Sequence, residues 1–293
     1  MRITQRAVAL TSLQGLNRNL DAVGKLQQQL TSGRLISAPS DSPTGTNRAM
    51  QTRSDQAAVA QYARNVSDAG SWLGQTDSTL QNMLDTARRV RDLTVQGAST
   101  GAMDDVSRQA IAVEVASLRE GLIGQANTTI AGRSLFGGIT TGDKAYNATG
   151  AFIGMAGSPV MRRVSDTDAV RVDITGPEAF GPPGNDLFAV VGQIAQDLLT
   201  DPAQLTNRIG DLDSVMNVMK AALADVGSRA ARIEREDQIL TDRAMNLGSL
   251  LAETENIDLP GTIMRLNMQQ VGYEAALTAT AKAISPTLLD YLR

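Results

Sequence analysis

The sequence predicts a mainly α-helical protein: a long antiparallel coiled-coil rod with paired terminal helices and a small β-rich insertion. Three observations carry that prediction. Apolar residues recur at alternating steps of three and four over long stretches. The prolines leave more than a hundred residues free between Pro43 and Pro159, and more than fifty between Pro202 and Pro260, so long helices are permitted. Five of the nine aromatic residues crowd into one central stretch dotted with glycine and proline.

The terminal helices come first. Leu13, Leu16, Leu20, Val23, Leu26 and Leu30 step by three and four, which places them on one stripe of a helix. Near the other end Ile263, Leu266, Tyr273, Leu277 and Ile284 step by three, seven, four and seven and share a stripe, followed by Leu288 and Leu289. Neither stripe has a local partner, so the ends are expected to pair with each other or with copies of the chain. An isolated helix of this length is marginal in water, because nucleation is costly and nothing buries its stripe. These residues, without Leu26, are the candidate assembly interface.

The long helices follow. Tyr62, Val66, Ala69, Leu73, Leu80, Met83, Ala87 and Val90 keep heptad steps, with Thr76 breaking the series. Ile209, Leu212, Met216, Met219, Leu223, Val226, Ala230, Ile233, Leu240, Ala244, Leu247 and Leu251 keep them over a longer span, with Asp237 the polar exception. A period of 3.5 residues sustained that far signals coiled-coil packing. Asp237 is expected either to set register from a buried position or to face a groove between subunits. Met216, Met219 and Met245 are expected mainly in the core.

Local punctuation divides the chain. Ser32-Gly33 suits a helix C-terminus and Ser42-Pro43 a helix start, so Ser32, Gly33, Pro39, Ser40, Asp41 and Pro43 mark a connector. Gly97 to Gly101 breaks the first long helix. Asp104 or Asp105 caps a third, striped by Ile111, Val115, Leu118 and Leu122 and ending at Ala131-Gly132. Residues 136–187 hold Phe136, Tyr146, Phe152 and Phe180, four prolines, and the alternating run from Val170 to Ile174, and are read as strands and turns at the far end of the rod. Pro260-Gly261 separates the rod from the last helix. The expected organisation is a terminal helix and connector over 1–42, rod halves over 43–135 and 188–258, the insertion over 136–187, and a C-terminal helix over 259–293.

Composition narrows the function. The 293 residues contain no histidine and no cysteine, which removes the usual metal ligands, thiol nucleophiles and neutral-pH proton shuttle. Catalysis and cofactors are therefore not expected. The net charge is −4, with five basic groups against one acidic over residues 1–34. Those charges are scattered and lack aromatic stacking partners, so neither nucleic acid nor membrane insertion is expected. Glu234, Glu236 and Asp237 with Arg232 and Arg235 read as an ion-paired face rather than a metal site. Gly15, Gly24 and Gly272 read either as points of close helix approach or as tolerated surface glycines.

Several stretches resemble the flagellin-like family. They are the opening Met1 to Gln5, the connector from Leu30 to Gly45, Gln61 to Val66, Ala126 to Gly138, and Gln270 to Leu292. The resemblance covers roughly residues 1–138 and 190–293 and leaves the insertion unassigned. Within the family, the Pro39-Ser-Asp-Ser-Pro43 connector and the short insertion look like the branch that joins hook to filament, with a filament flagellin subunit as the alternative. Ser42 departs from the more usual aspartate there. The resemblance implies a secreted structural subunit of the extracellular flagellum, exported unfolded, that forms a ring of copies between hook-associated protein 1 and flagellin. It also implies an export chaperone on the C-terminal helix. A binding module acting through the insertion, and an enzyme, are the rival readings.

Overall fold

The computed structural model describes residues 2–99, 104–140, 142–155 and 157–284. It divides into two compact units, one built from Met1–Ala58 with Ala244–Arg293 and the other from Val59–Arg243. Among the described residues seven α-helices dominate: α1 (Arg2–Ser32), α2 (Pro43–Ala98), α3 (Asp105–Ala126), α4 (Gly176–Phe180), α5 (Leu187–Thr200), α6 (Leu205–Glu255) and α7 (Leu259–Ile284). The strands are two small antiparallel pairs, β1 (Thr129–Ile130) with β2 (Arg133–Ser134), and β3 (Met161–Arg163) with β4 (Ala169–Arg171). The mainly α fold with a small strand-bearing insertion is therefore what the sequence indicated.

In the second unit α2 and α6 run antiparallel. Arg91 of α2 grips Asp213 of α6 with two hydrogen bonds of 2.6 and 3.1 Å. Further along, a Cβ placed on Gly70 would lie 3.6 Å from the Ile233 side chain. The heptad residues meet in this seam: Val66, Ala69, Leu73, Leu80, Met83, Ala87 and Val90 are buried, as are Leu212, Met216, Met219, Val226, Ile233 and Leu240. Thr76 is buried too, and its hydroxyl is satisfied by the Trp72 carbonyl one turn back.

Two expectations are corrected here. Asp237 is exposed, so it sets no register from a buried position. Met245 is exposed as well, unlike Met216 and Met219. Gly15, Gly24 and Gly272 have nothing of this chain within 4 Å of an added Cβ.

The third helix starts as expected, with the Asp104 carboxylate accepting from the Ser107 amide. Its end differs. The helix stops at Ala126, and Ala131-Gly132 forms the two-residue turn of the β1–β2 hairpin, with φ of 49° and 76°. Hairpin turns of that length favour positive φ at both positions, which explains what the glycine is for. The intervening Asn127 caps the helix and turns its side chain outward. Its Oδ1 accepts from the amides of Ala145 and Tyr146 at 2.8 and 2.9 Å, and its Nδ2 donates to the Tyr146 carbonyl.

That clamp seats Tyr146 in an aromatic core with Phe136, Phe180 and Phe188, all essentially inaccessible, with ring centroids 4.6–6.0 Å apart. Helix α5 closes it with Leu187, Val190, Val191, Ile194 and Leu198, and begins where Asp186 caps the Ala189 amide.

The insertion does not stay at the far end of the long helices. The β3–β4 hairpin lies along α2 and α6, held to both. On the α2 side Tyr62 donates to Asp166, Asn65 donates to the Arg163 carbonyl, and Arg162 donates to Asp68, each at 2.8 Å. On the α6 side Arg229 donates to the Asp173 carbonyl at 2.9 Å and Arg232 pairs with Asp168. Arg232 therefore serves the hairpin rather than the carboxylate cluster beside it. We expect Asn127→Ala to strand two buried amides and a carbonyl, costing about 2 kcal/mol in urea unfolding; a cost under about 0.5 kcal/mol would show that the clamp is dispensable.

Candidate assembly site

The candidate site lies in the first unit, where α1 and α7 pair antiparallel. On α1 Leu16, Asn19, Val23, Leu26 and Leu30 are among the residues withdrawn from solvent. On α7 they include Thr262, Leu266, Gln269, Tyr273 and Ala276. The Gln269 amide donates to the Asn19 carbonyl oxygen across the pair at 3.1 Å. The seam is shallow. Of the α1 residues whose side chains are described, Val23 alone counts as buried, at 9% exposure.

The residues expected at an interface divide accordingly. Leu16, Val23 and Leu30 of α1 and Leu266 and Tyr273 of α7 enter the seam, whereas Leu13, Leu20, Ile263 and Leu277 flank it in solvent. Of Ile284 only the backbone at the end of α7 is described, and Leu288 and Leu289 lie outside the described residues.

A second apolar face on α7 was not read from the sequence. Met264, Met268 and Val271 step by four and three and are 64%, 71% and 66% exposed. Helical spacing sets them opposite Thr262, Leu266, Gln269 and Tyr273. The signal was present as a second stripe in the same segment, masked because one helix is usually searched for one face.

The connector ties α1 to the end of α6. Gly33, at φ 70°, closes α1 by donating its amide to the Gln29 carbonyl at 2.8 Å, a turn glycine reaches without strain. Arg34 then bridges to Asn256, while the Leu35 amide donates to the Glu255 carbonyl and the Ile257 amide to the Gly33 carbonyl. The break between α6 and α7 is thus Asn256 to Asp258. Pro260-Gly261, expected as the separator, sits inside the first turn of α7, where a proline's missing N–H leaves no helical bond unmade.

Pro39 and Ser40 occupy the centre of a turn closed by the Asp41 amide on the Ala38 carbonyl. Asp41 Oδ2 accepts from the amides of Ser37 and Ala38 at 3.1 and 3.0 Å, and its Oδ1 meets the Lys25 ammonium at 2.8 Å. Ser42 caps α2 through the Gly45 amide, with Pro43 opening the helix. At the α6 end, Glu255 is nearly buried and gripped by Arg53 at 2.7 Å.

The Lys25 ammonium, helped by the two amides, holds the Asp41 carboxyl down at about 2. A carboxylate lowered in the folded state supports that state above its ordinary range and loses the effect as pH falls toward the lowered value. Carboxyl NMR titration should therefore place Asp41 near 2, and Lys25→Met should move it back toward 3.8. A wild-type value already at 3.8 would remove Asp41 as the organiser of the connector.

Among the described residues no group of three His, Cys, Asp or Glu could hold a metal ion, and no helix is long and apolar enough to cross a membrane. What the site can do is present apolar helix faces to other helices.

Paired end helices, a capped connector and long antiparallel helices are features in which the chain is similar to flagellin-like proteins. Residues 3–141 match the bacterial flagellin N-terminal helical region. Over 305 residues the chain is 24% identical to flagellar hook-associated protein 3 of Escherichia coli (strain K12), covering 95% of this chain and 96% of that protein. It is 25% identical over 309 residues to flagellin of Bacillus subtilis (strain 168), covering all of both. The fold is similar to the crystal structure of Bacillus cereus FlgL at a TM-score of 0.62 and 22% identity, over 69% of this chain and 99% of that one.

Proposed function

We propose that this chain is a structural, non-enzymatic subunit of the extracellular bacterial flagellum, forming the junction between hook and filament. Copies join in a ring through α1 and α7. One observation carries the reading: α7 is apolar on two opposite faces, and α1 covers one of them. A helix of that kind belongs in a wall, where it has neighbours on both sides. The likeness to hook-associated protein 3 along nearly the whole chain supports the junction.

The remaining partners follow from the same likeness: hook-associated protein 1 below, flagellin above, and an export chaperone on α7 before secretion. The similarity to B. subtilis flagellin over its full length supports a second reading, a filament subunit. Location separates the two. Immuno-electron microscopy should label the hook end of the filament only, and label along the filament would favour the second reading.

Self-association is tested by Val271→Glu in the full chain. Burying an unpaired carboxylate on the free face should weaken association at least tenfold in sedimentation velocity, with the helical circular dichroism unchanged. A wild-type chain that stays monomeric, or a variant that associates equally well, would contradict the reading.

A further inference from the structure

Methionine alone carries sulfur here: the chain has eleven methionines and no cysteine. Met83, Met216 and Met219 are shut inside the α2–α6 seam. Met264 and Met268 are among the most exposed large apolar residues, one turn apart on the uncovered face of α7 beside Val271. Oxidation of a thioether follows access, and the sulfoxide it gives is polar.

We propose that Met264 and Met268 are a modification site for a small peroxide, and that their oxidation closes the free face of α7 to a second copy. The inference rests on the reading that this face joins copies. The thioether sulfur attacks one oxygen of hydrogen peroxide. The O–O bond breaks as the S–O bond forms, and the departing hydroxide takes the proton of the transferred oxygen to leave water. Sulfur is oxidised by two electrons and the peroxide is reduced by two.

The new S–O group is a strong hydrogen-bond acceptor beside Val271, which has no donor to offer. Burying it against another subunit therefore opposes association. Once a copy covers the face, the sulfurs are shielded, so the oxidant acts on the subunit before placement. Met50, Met155, Met161 and Met245 are also exposed but lie on other elements, and serve as internal controls for access.

The test treats the full chain with hydrogen peroxide, follows each methionine by peptide mass mapping, and measures self-association by sedimentation velocity. Conversion of Met264 and Met268 should weaken association at least tenfold, and methionine sulfoxide reductase should restore it. The M264L/M268L chain, with similar apolar volume, should associate normally and keep doing so after the same treatment. Normal association with both residues converted overturns the proposal. So does resistance of the two residues to oxidation, or an equal loss in M264L/M268L, which would place the effect elsewhere. Val271→Glu separates the two levels. If it weakens association and oxidation does not, the oxidation proposal alone falls; if neither does, the assembly reading falls with it.

Discussion

The seam between α1 and α7 covers one stripe of each helix, and only Val23 of the described α1 side chains is buried. Fully burying a leucine-sized side chain is worth roughly 1.5–3 kcal/mol, and half-buried ones realise only part of that. Fixing each residue's backbone costs about 1–2 kcal/mol, met in part by hydrogen bonds. A two-helix contact this shallow does not hold two long helices firmly by itself. Every other feature of the first unit is consistent with that shortfall, from the second apolar face of α7 to the exposed Leu13 and Leu20. The connector compensates locally, through backbone bonds to α6 and the Lys25–Asp41 and Arg53–Glu255 pairs, and fixes where α1 begins its return.

The second unit shows the same heptad chemistry with its partners present. Leu73, Leu80, Met83 and Val90 are almost wholly excluded from water, on a helix that runs beside α6. The insertion adds its own aromatic core and then reaches back along the helices, where Tyr62, Asp68, Arg229 and Arg232 hold it. Those contacts are largely exposed pairs of modest individual worth. Their value lies in number and placement, since they engage both long helices at once. The insertion therefore braces α2 and α6, a role distinct from that of a free binding head.

Much of this was legible in residues. Gly33, Ser42 and Asp104 punctuate the helices where their conformational and capping preferences require, and the period of 3.5 named the seam faces of α2 and α6. Periodicity says which face is apolar but not whether anything covers it. The α6 series runs on to Leu251, yet burial stops at Leu240 and Ala244 is exposed. Ala131-Gly132 looked like a helix end because glycine serves both helix ends and hairpin turns, and only the β1–β2 pairing decides between them. The reach of the β3–β4 hairpin could not be read at all, since Asp168 and Arg232 are far apart in sequence. Helix α5 was legible too: Leu187, Val191, Ile194 and Leu198 step by four, three and four.

The central claim is that the terminal helices become firm only among neighbours. Amide hydrogen exchange across α1 and α7 tests it most directly, compared between dilute monomer and assembled protein, with the amides of α2 around Leu80 as the internal reference. The account predicts rapid exchange in both terminal helices of the monomer, slow exchange at the α2 reference, and strong new protection of α1 and α7 on assembly. Terminal helices as protected in the monomer as the α2 core, with no gain on assembly, would contradict it.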